Sequence, residues 1–120
     1  VEVNIPESVT IYPKFSETRI IVNNNLRNLL EDVKLAFENN PEITVEVIGH
    51  TDNVGNANDN YRMGLQYARQ VRWYLISKGN FEKSSIKASS KGETEPIDTN
   101  NSKRGRNANR RIEIVYNYNG

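Results

Sequence analysis

The sequence predicts one α+β domain: a β-α-β-α-β-β sandwich in which two long helices pack on one face of a four-stranded mixed sheet. Two stretches space their apolar residues at i, i+3, i+4 and i+7, the mark of amphipathic helices. Other stretches alternate apolar with polar residues, the mark of half-buried strands. The chain has 120 residues, enough for one core. Split in two, each half would be too small to bury one.

Residues 1–8 (VEVNIPES) mix polar and apolar types around Pro6 and are expected to be a linker from a region preceding this chain. The domain proper is expected over 9–120. Residues 9–12 (VTIY) predict a short strand stopped by Pro13, which lacks a backbone donor. Leu26, Leu29, Leu30, Val33, Ala36 and Phe37 predict a helix over about 22–39 with one buried face. Asn39-Asn40-Pro41 ends it, because the residue before proline avoids helical geometry. Ile43, Val45 and Val47 alternate with Thr44 and Glu46 and predict a central strand. Residues 49–58 (GHTDNVGNAN) are dense in turn formers and predict a loop.

Met63, Tyr67, Ala68, Val71, Tyr74 and Leu75 predict a second helix over about 59–78, with Asn58 or Asp59 as N-cap and Gly79 as its end. Gly64 inside that helix costs about 1 kcal/mol against alanine, which points to a close approach there. Residues 84–91 predict a weaker strand around Ile86 and Ala88. Residues 92–107 predict a long polar loop, and Ile112, Ile114, Tyr116 and Tyr118 alternate in a last strand. The expected core is Leu26, Leu29, Leu30, Val33, Phe37, Val45, Val47, Ala68, Val71, Leu75, Ile112 and Ile114.

Hydrophobic residues make up 36% of the chain, below the usual ~45–50%. Their periodic placement still argues for a folded domain. Sixteen basic against fifteen acidic residues leave a net charge of +1, which argues against a nucleic-acid binder and against a polybasic membrane segment. No apolar run approaches the ~20 residues of a membrane-spanning helix. No signal peptide opens the chain, which leaves a cytosolic protein or a piece of a larger exported one; the start on Val1 without Met favours the second, reaching a membrane only through a region N-terminal to it. Zero cysteines exclude disulfides and thiolate chemistry. The single histidine, His50, excludes a multi-histidine metal site.

The most pointed feature is the loop Gly49-His50-Thr51-Asp52-Asn53-Val54-Gly55, between a buried strand and a helix, a favoured place for ligands. A plain turn also accounts for it, since Asp and Asn cap amides and Gly permits positive φ. His50 has no companion nucleophile and is expected to pack. Asp52 and Asp59 could pair as carboxylates, but a loop acid and a helix cap explain them equally well. Arg62, Arg69 and Arg72 share a helix face beside Trp73 and are expected to form a solvated basic face. Lys103, Arg104, Arg106, Arg110 and Arg111 cluster near the C-terminus. They suit either nearby acids or a carboxylate or phosphate ligand, because arginine presents a planar fork.

Read in order, the segments resemble the OmpA-like peptidoglycan-binding domain shared by OmpA C-termini, Pal lipoproteins and MotB. The resemblance runs from about Val9 to Tyr116. It rests on Asn40-Pro41, on 45–52 (VEVIGHTD) with Gly55, and on Asn60, Ala68, Val71, Tyr74-Leu75 and Gly79. It continues through Gly92-Glu93, Pro96, Gly105-Arg106 and 109–113 (NRRIE). It implies a non-catalytic, non-covalent anchor to the cell wall, in the periplasmic part of a Gram-negative outer-membrane protein, with neither cofactor nor metal. The ligand implied is the diaminopimelate of the stem peptide, whose far end carries an amine and a carboxylate. In the family the loop Asp takes the amine and an Arg fifteen residues later takes the carboxylate. One anion and one bidentate cation at fixed separation suit a zwitterion.

Here Asp52 stands in place, but Tyr67 occupies the arginine position. Arg69, two residues on, is turned ~200° round the helix. The family's aromatic-Asp-aromatic segment reads Pro13-Lys14-Phe15. Lys14 and Arg110 are the candidate replacement cations. The expected ligand-binding residues are Thr51, Asp52, Asn60 and Arg110, with Phe15 and Tyr67 beside them. Two other readings stand. A structural or protein-interaction module with weakened or lost wall binding would follow from the missing arginine, and a hydrolase would use Asp52 with His50.

Overall fold

A computed structural model describes residues 7–118. Its elements are β1 (Ser8–Ile11), β2 (Lys14–Phe15), β3 (Ile20–Ile21), α1 (Asn24–Asn39), β4 (Thr44–His50), α2 (Ala57–Gly79), a 3-10 turn (Lys83–Ser85), β5 (Ile86–Gly92), α3 (Lys103–Asn109) and β6 (Arg111–Asn117). Four strands form a mixed sheet in the order β1-β6-β4-β5. β6 runs antiparallel to both β1 and β4, and β5 lies parallel to β4. The parallel pair needs a long crossover, which α2 supplies.

Register sorts the two faces. Val45 sits between Tyr116 and Ile86, and Val47 between Ile114 and Ala88. These side chains meet Leu26, Leu29, Leu30, Val33, Ala68, Val71 and Leu75 of the two long helices in one core. Every expected core residue is buried except Phe37, which is half-buried and stacks on Phe81 with ring centroids 5.0 Å apart. Ile11, Ile43, Ile76, Ile86 and Tyr116 complete the interior.

The caps set the helix limits. The Asn23 side chain accepts from the Leu26 amide and starts α1 at Asn24. Asn56, and not Asn58 or Asp59, caps α2, accepting from both of their amides. Asn80, in the left-handed region at φ 55°, closes α2 one residue past Gly79. Gly49 and His50 belong to β4 and not to the loop after it.

Three of these elements, β2, β3 and α3, were not expected. β2 and β3 form a small hairpin, and α3 lies inside the stretch read as a polar loop. Of the expected linker, residues 1–6 lie outside the described residues. Ser8 opens β1, and the Glu7 carbonyl accepts from the Tyr116 amide at 2.7 Å.

The backbones of β4 and α2 touch. A Cβ on Gly49 would lie 1.9 Å from the Gly64 carbonyl oxygen, and one on Gly64 would lie 2.5 Å from Ser90 Oγ. The close approach that Gly64 suggested is therefore to strand β4. Gly49→Ala is expected to cost about 1–3 kcal/mol or more, because the obstacle is backbone that cannot swing aside. Leu75→Ala is expected to cost about 2–5 kcal/mol, and exposed Leu35→Ala about 0.5 kcal/mol or less. Urea denaturation of the three variants checks this ranking.

Candidate functional site

The C-terminal end of β4 delivers Thr51 and Asp52 between the end of β5 and the start of β6. Pairing with β5 shifts here, Gly49 facing Ser90 but His50 facing Gly92. The Thr51 amide donates to the Gly92 carbonyl at 2.9 Å, and its hydroxyl donates to the Asp52 carbonyl at 2.8 Å. Thr51 is thus spent on holding the loop.

Asp52 is buried, at 7% exposed. Its Oδ1 accepts from the Val54 amide at 2.9 Å, an Asx turn. Its Oδ2 accepts from Arg110 Nη1 at 2.6 Å. Arg110 is the C-cap of α3 and directly precedes β6. Its second amino group donates to Asn107 Oδ1. Arg110, and not Lys14, is the cation beside Asp52.

Asn60, in the first turn of α2, fastens the loop from the other side. Its amide nitrogen lies 2.9 Å from Glu93 Oε1, 3.1 Å from the Val54 carbonyl and 3.4 Å from the Asp52 carbonyl. Tyr67 caps the site at the hairpin. Its hydroxyl donates to the carbonyls of Ser16 and Glu17, each at 2.9 Å, and its ring packs on Phe15 with centroids 4.7 Å apart. Burial pushes the Tyr67 hydroxyl pKa up, and the nearby Arg110 charge pulls against that shift. Tyr12, Pro13, Phe15, Asn107 and Arg110 line a shallow pocket of about 370 Å³. The structure therefore brings Asp52, Asn60, Arg110, Phe15 and Tyr67 to one end of the sheet, an anion and a cation in contact beside an aromatic hollow.

The comparisons with known proteins agree with this architecture. Residues 14–110 match the model of the OmpA family. The chain belongs to the OmpA family. It is 32% identical over 112 residues to the probable lipoprotein YiaD of Escherichia coli, covering 93% of this chain and 49% of that one. It is 36% identical over 77 residues to the peptidoglycan-binding protein ArfA of Mycobacterium tuberculosis, covering 64% of this chain and 23% of ArfA. The chain therefore spans about half or less of these relatives. The peptidoglycan-associated lipoprotein of Burkholderia pseudomallei shares the fold at a TM-score of 0.76 and 23% identity, covering 89% of this chain and 88% of that one. The cell wall anchor of the Pseudomonas aeruginosa T6SS superposes at 0.71 with 28% identity, covering 92% and 81%.

In this OmpA-family chain two more members of the C-terminal basic cluster, Arg106 and Arg111, hold backbone carbonyls. The Arg111 guanidinium donates to the carbonyls of Asn109 and Glu95. Arg106 donates to the Asn100 carbonyl. Buried Asn109 accepts from the amides of Ile97 and Asp98 and donates to the Asp98 carbonyl and to Asn100 Oδ1. It is the residue that sequence reasoning missed as a positioning group. It fixes the approach to α3 and so the base of Arg110. Gly105, buried, permits α3 to pack, since a Cβ there would lie 1.9 Å from the Thr99 carbonyl oxygen. Arg72, expected on a solvated face, donates to the carbonyls of Ile86 and Lys83.

His50 packs, as expected. It is 3% exposed and pairs through Nε2 with Glu113 at 3.0 Å, while Nδ1 has no partner among the described residues. Burial outweighs the Glu113 bond and holds its pKa below the usual 6.5. The unfolded chain therefore takes up a proton as pH falls through 6.5 while the fold resists it, and this contribution to stability drains away below that pH. His50→Gln is expected to flatten the stability profile just below pH 6.5 relative to wild type. Thermal melts of both proteins across that range check it.

Proposed function

We propose that this domain binds peptidoglycan non-covalently and without catalysis, gripping the diaminopimelate of the stem peptide. It then serves as the periplasmic wall anchor of a Gram-negative outer-membrane protein. The observation that carries the reading is the contact between Asp52 and Arg110 beside the aromatic hollow. A carbon bearing both an amine and a carboxylate can present the first to Asp52 and the second to Arg110. The Arg110 side chain is 43% exposed and so within reach of a ligand, while that of Asp52 is only 10% exposed. A ligand amine that takes the place of the guanidinium keeps this buried carboxylate paired, and each new charge-assisted bond is worth about 1.5–3 kcal/mol. ArfA, named as peptidoglycan-binding, and the T6SS cell wall anchor support the same reading. His50 is committed to Glu113 and not to Asp52, which favours binding over hydrolysis.

The absence of the helix arginine favours a second reading, a module of the same fold with weakened or lost wall binding. Tyr67 serves the hairpin in place of a ligand carboxylate. Co-sedimentation with purified wall sacculi separates the two, since only an anchor pellets with them.

Calorimetry with a diaminopimelate peptide tests the assignment residue by residue. Asp52→Asn keeps an acceptor for the Val54 amide and removes the charge, so it is the cleaner change. It is expected to weaken binding about ten- to a hundredfold, at 1.4 kcal/mol per tenfold. Asp52→Ala also strips the loop of its Asx turn and is expected to lower the melting temperature. Arg110→Ala should weaken binding to a similar extent. Tyr67→Arg should tighten it, with Tyr67→Phe as the control for the lost hairpin bonds. If Tyr67→Arg binds no tighter while Arg110→Ala abolishes binding, Arg110 alone holds the carboxylate. Unchanged affinity in both Asp52→Asn and Arg110→Ala would sink the assignment.

A further inference from the structure

We propose that the outer flank of α2 is a second binding surface, which takes an acidic peptide segment carrying an apolar side chain. A groove of about 820 Å³ runs between α2 and β3, away from the Asp52 site. That volume lies in the range of ligand sites. Its floor is apolar, with Ile20, Val22, Leu65 and Trp73. Trp73 is 58% exposed and Val22 40%. Apolar groups gathered in this way mark an interaction site, and tryptophan and arginine are both residue types enriched among the energetic hot spots of protein interfaces.

The rim is cationic. Arg62 and Arg69 line the groove and no carboxylate does. At Arg69 it meets a second groove of about 520 Å³, lined by Arg72, Lys83 and Lys87, again without a carboxylate. Arg62 has an exposed partner in Asp59. Among the described residues, no carboxylate pairs with Arg69, Arg72 or Lys83. Arg72 is spent on backbone carbonyls and Lys83 lies over the Trp73 ring, so both charges stay uncompensated. In a chain of net charge +1 this concentration is local.

The groove wall is preformed. Gln66 and Gln70 both donate to the Thr18 carbonyl, and Gln70 accepts from the Ile20 amide. A rigid wall lowers the ordering cost of binding.

Charge and shape select the occupant. A second copy of the chain, docked through this same surface about a two-fold axis, would pair two surfaces that each carry cations and no lining carboxylate, without charge complementarity. A polyanion without apolar groups would leave the floor of the first groove unused. An acidic peptide with one large apolar residue satisfies both grooves, the anchor beside Trp73 and the carboxylates along Arg69, Arg72 and Lys83.

The test uses the whole chain and a displayed library of short random peptides. The recovered peptides should combine acidic with large apolar residues. Trp73 is the only tryptophan, so synthetic versions should shift its fluorescence. Their affinity should fall at least about tenfold in Arg69→Glu and decline as salt rises, while Asp52→Asn leaves it unchanged. Arg69 is exposed and makes no bond the fold needs, so that variant should fold, as circular dichroism would show; Trp73→Ala supplies a second check through calorimetry. The proposal is overturned if no peptide is recovered, if the recovered peptides lack acidic residues, or if Arg69→Glu binds them as well. Competition by polyglutamate or by phosphatidylglycerol vesicles on equal terms overturns it too. So does dimerisation that Trp73→Ala abolishes, since a second copy would then be the occupant.

Discussion

The contact between the Gly49 and Gly64 backbones governs the rest of the molecule. A helix on a sheet normally keeps its distance through the side chains between them. Here none stands between, and α2 rests on β4 at a single fixed point. That point lies three residues before Asp52 and four after Asn60, so the two residues are delivered to the same loop as a consequence. Asn60 can then tie the Asp52 and Val54 carbonyls to Glu93, and Tyr67, about two turns further along α2, reaches the hairpin. The helix crossover that makes β4 and β5 parallel also brings Gly92 beside Thr51.

Against this frame the charges of the site behave as a matched set. A carboxylate as buried as Asp52 needs partners, since an unpaired buried charge is expensive. It has two, the Val54 amide and Arg110. Arg110 is held in turn by Asn107 and by the network of Asn109. Fifteen residues after Asp52 stands Tyr67, whose hydroxyl is turned to backbone carbonyls. The cation of the site comes from the end of α3 instead of from α2.

The long-period features were legible in the sequence. The faces of α1 and α2, the alternation in β4 and β6, and the glycine in α2 each follow from one local physical rule. The motif residues from Gly49 to Asp52 and from Asn109 to Glu113 also marked the family. Elements that depend on distant side chains were not legible. The two-residue strands β2 and β3 have almost no pattern of their own and are tied down by Gln66, Tyr67 and Gln70. Helix α3 has no apolar stripe. It exists because Ser102 caps it, Gly105 fits under Thr99, and Asn109 satisfies four polar groups in the preceding loop. The burial of Asp52 was missed for the same reason, because its covering cation arrives from the other end of the chain.

That last separation has a temporal side. Asp52 and Arg110 stand 58 positions apart, and β6, which follows Arg110 directly, is a central strand with neighbours on both sides. Closing so long a loop is an entropic cost met only when the final strand inserts. Until then Asp52 has no cation, β4 has an open edge, and β1 has nothing to pair with. Sheet completion and site completion are one event. A chain emerging N-terminus first therefore leaves Asp52 without its cation until its final segment has docked.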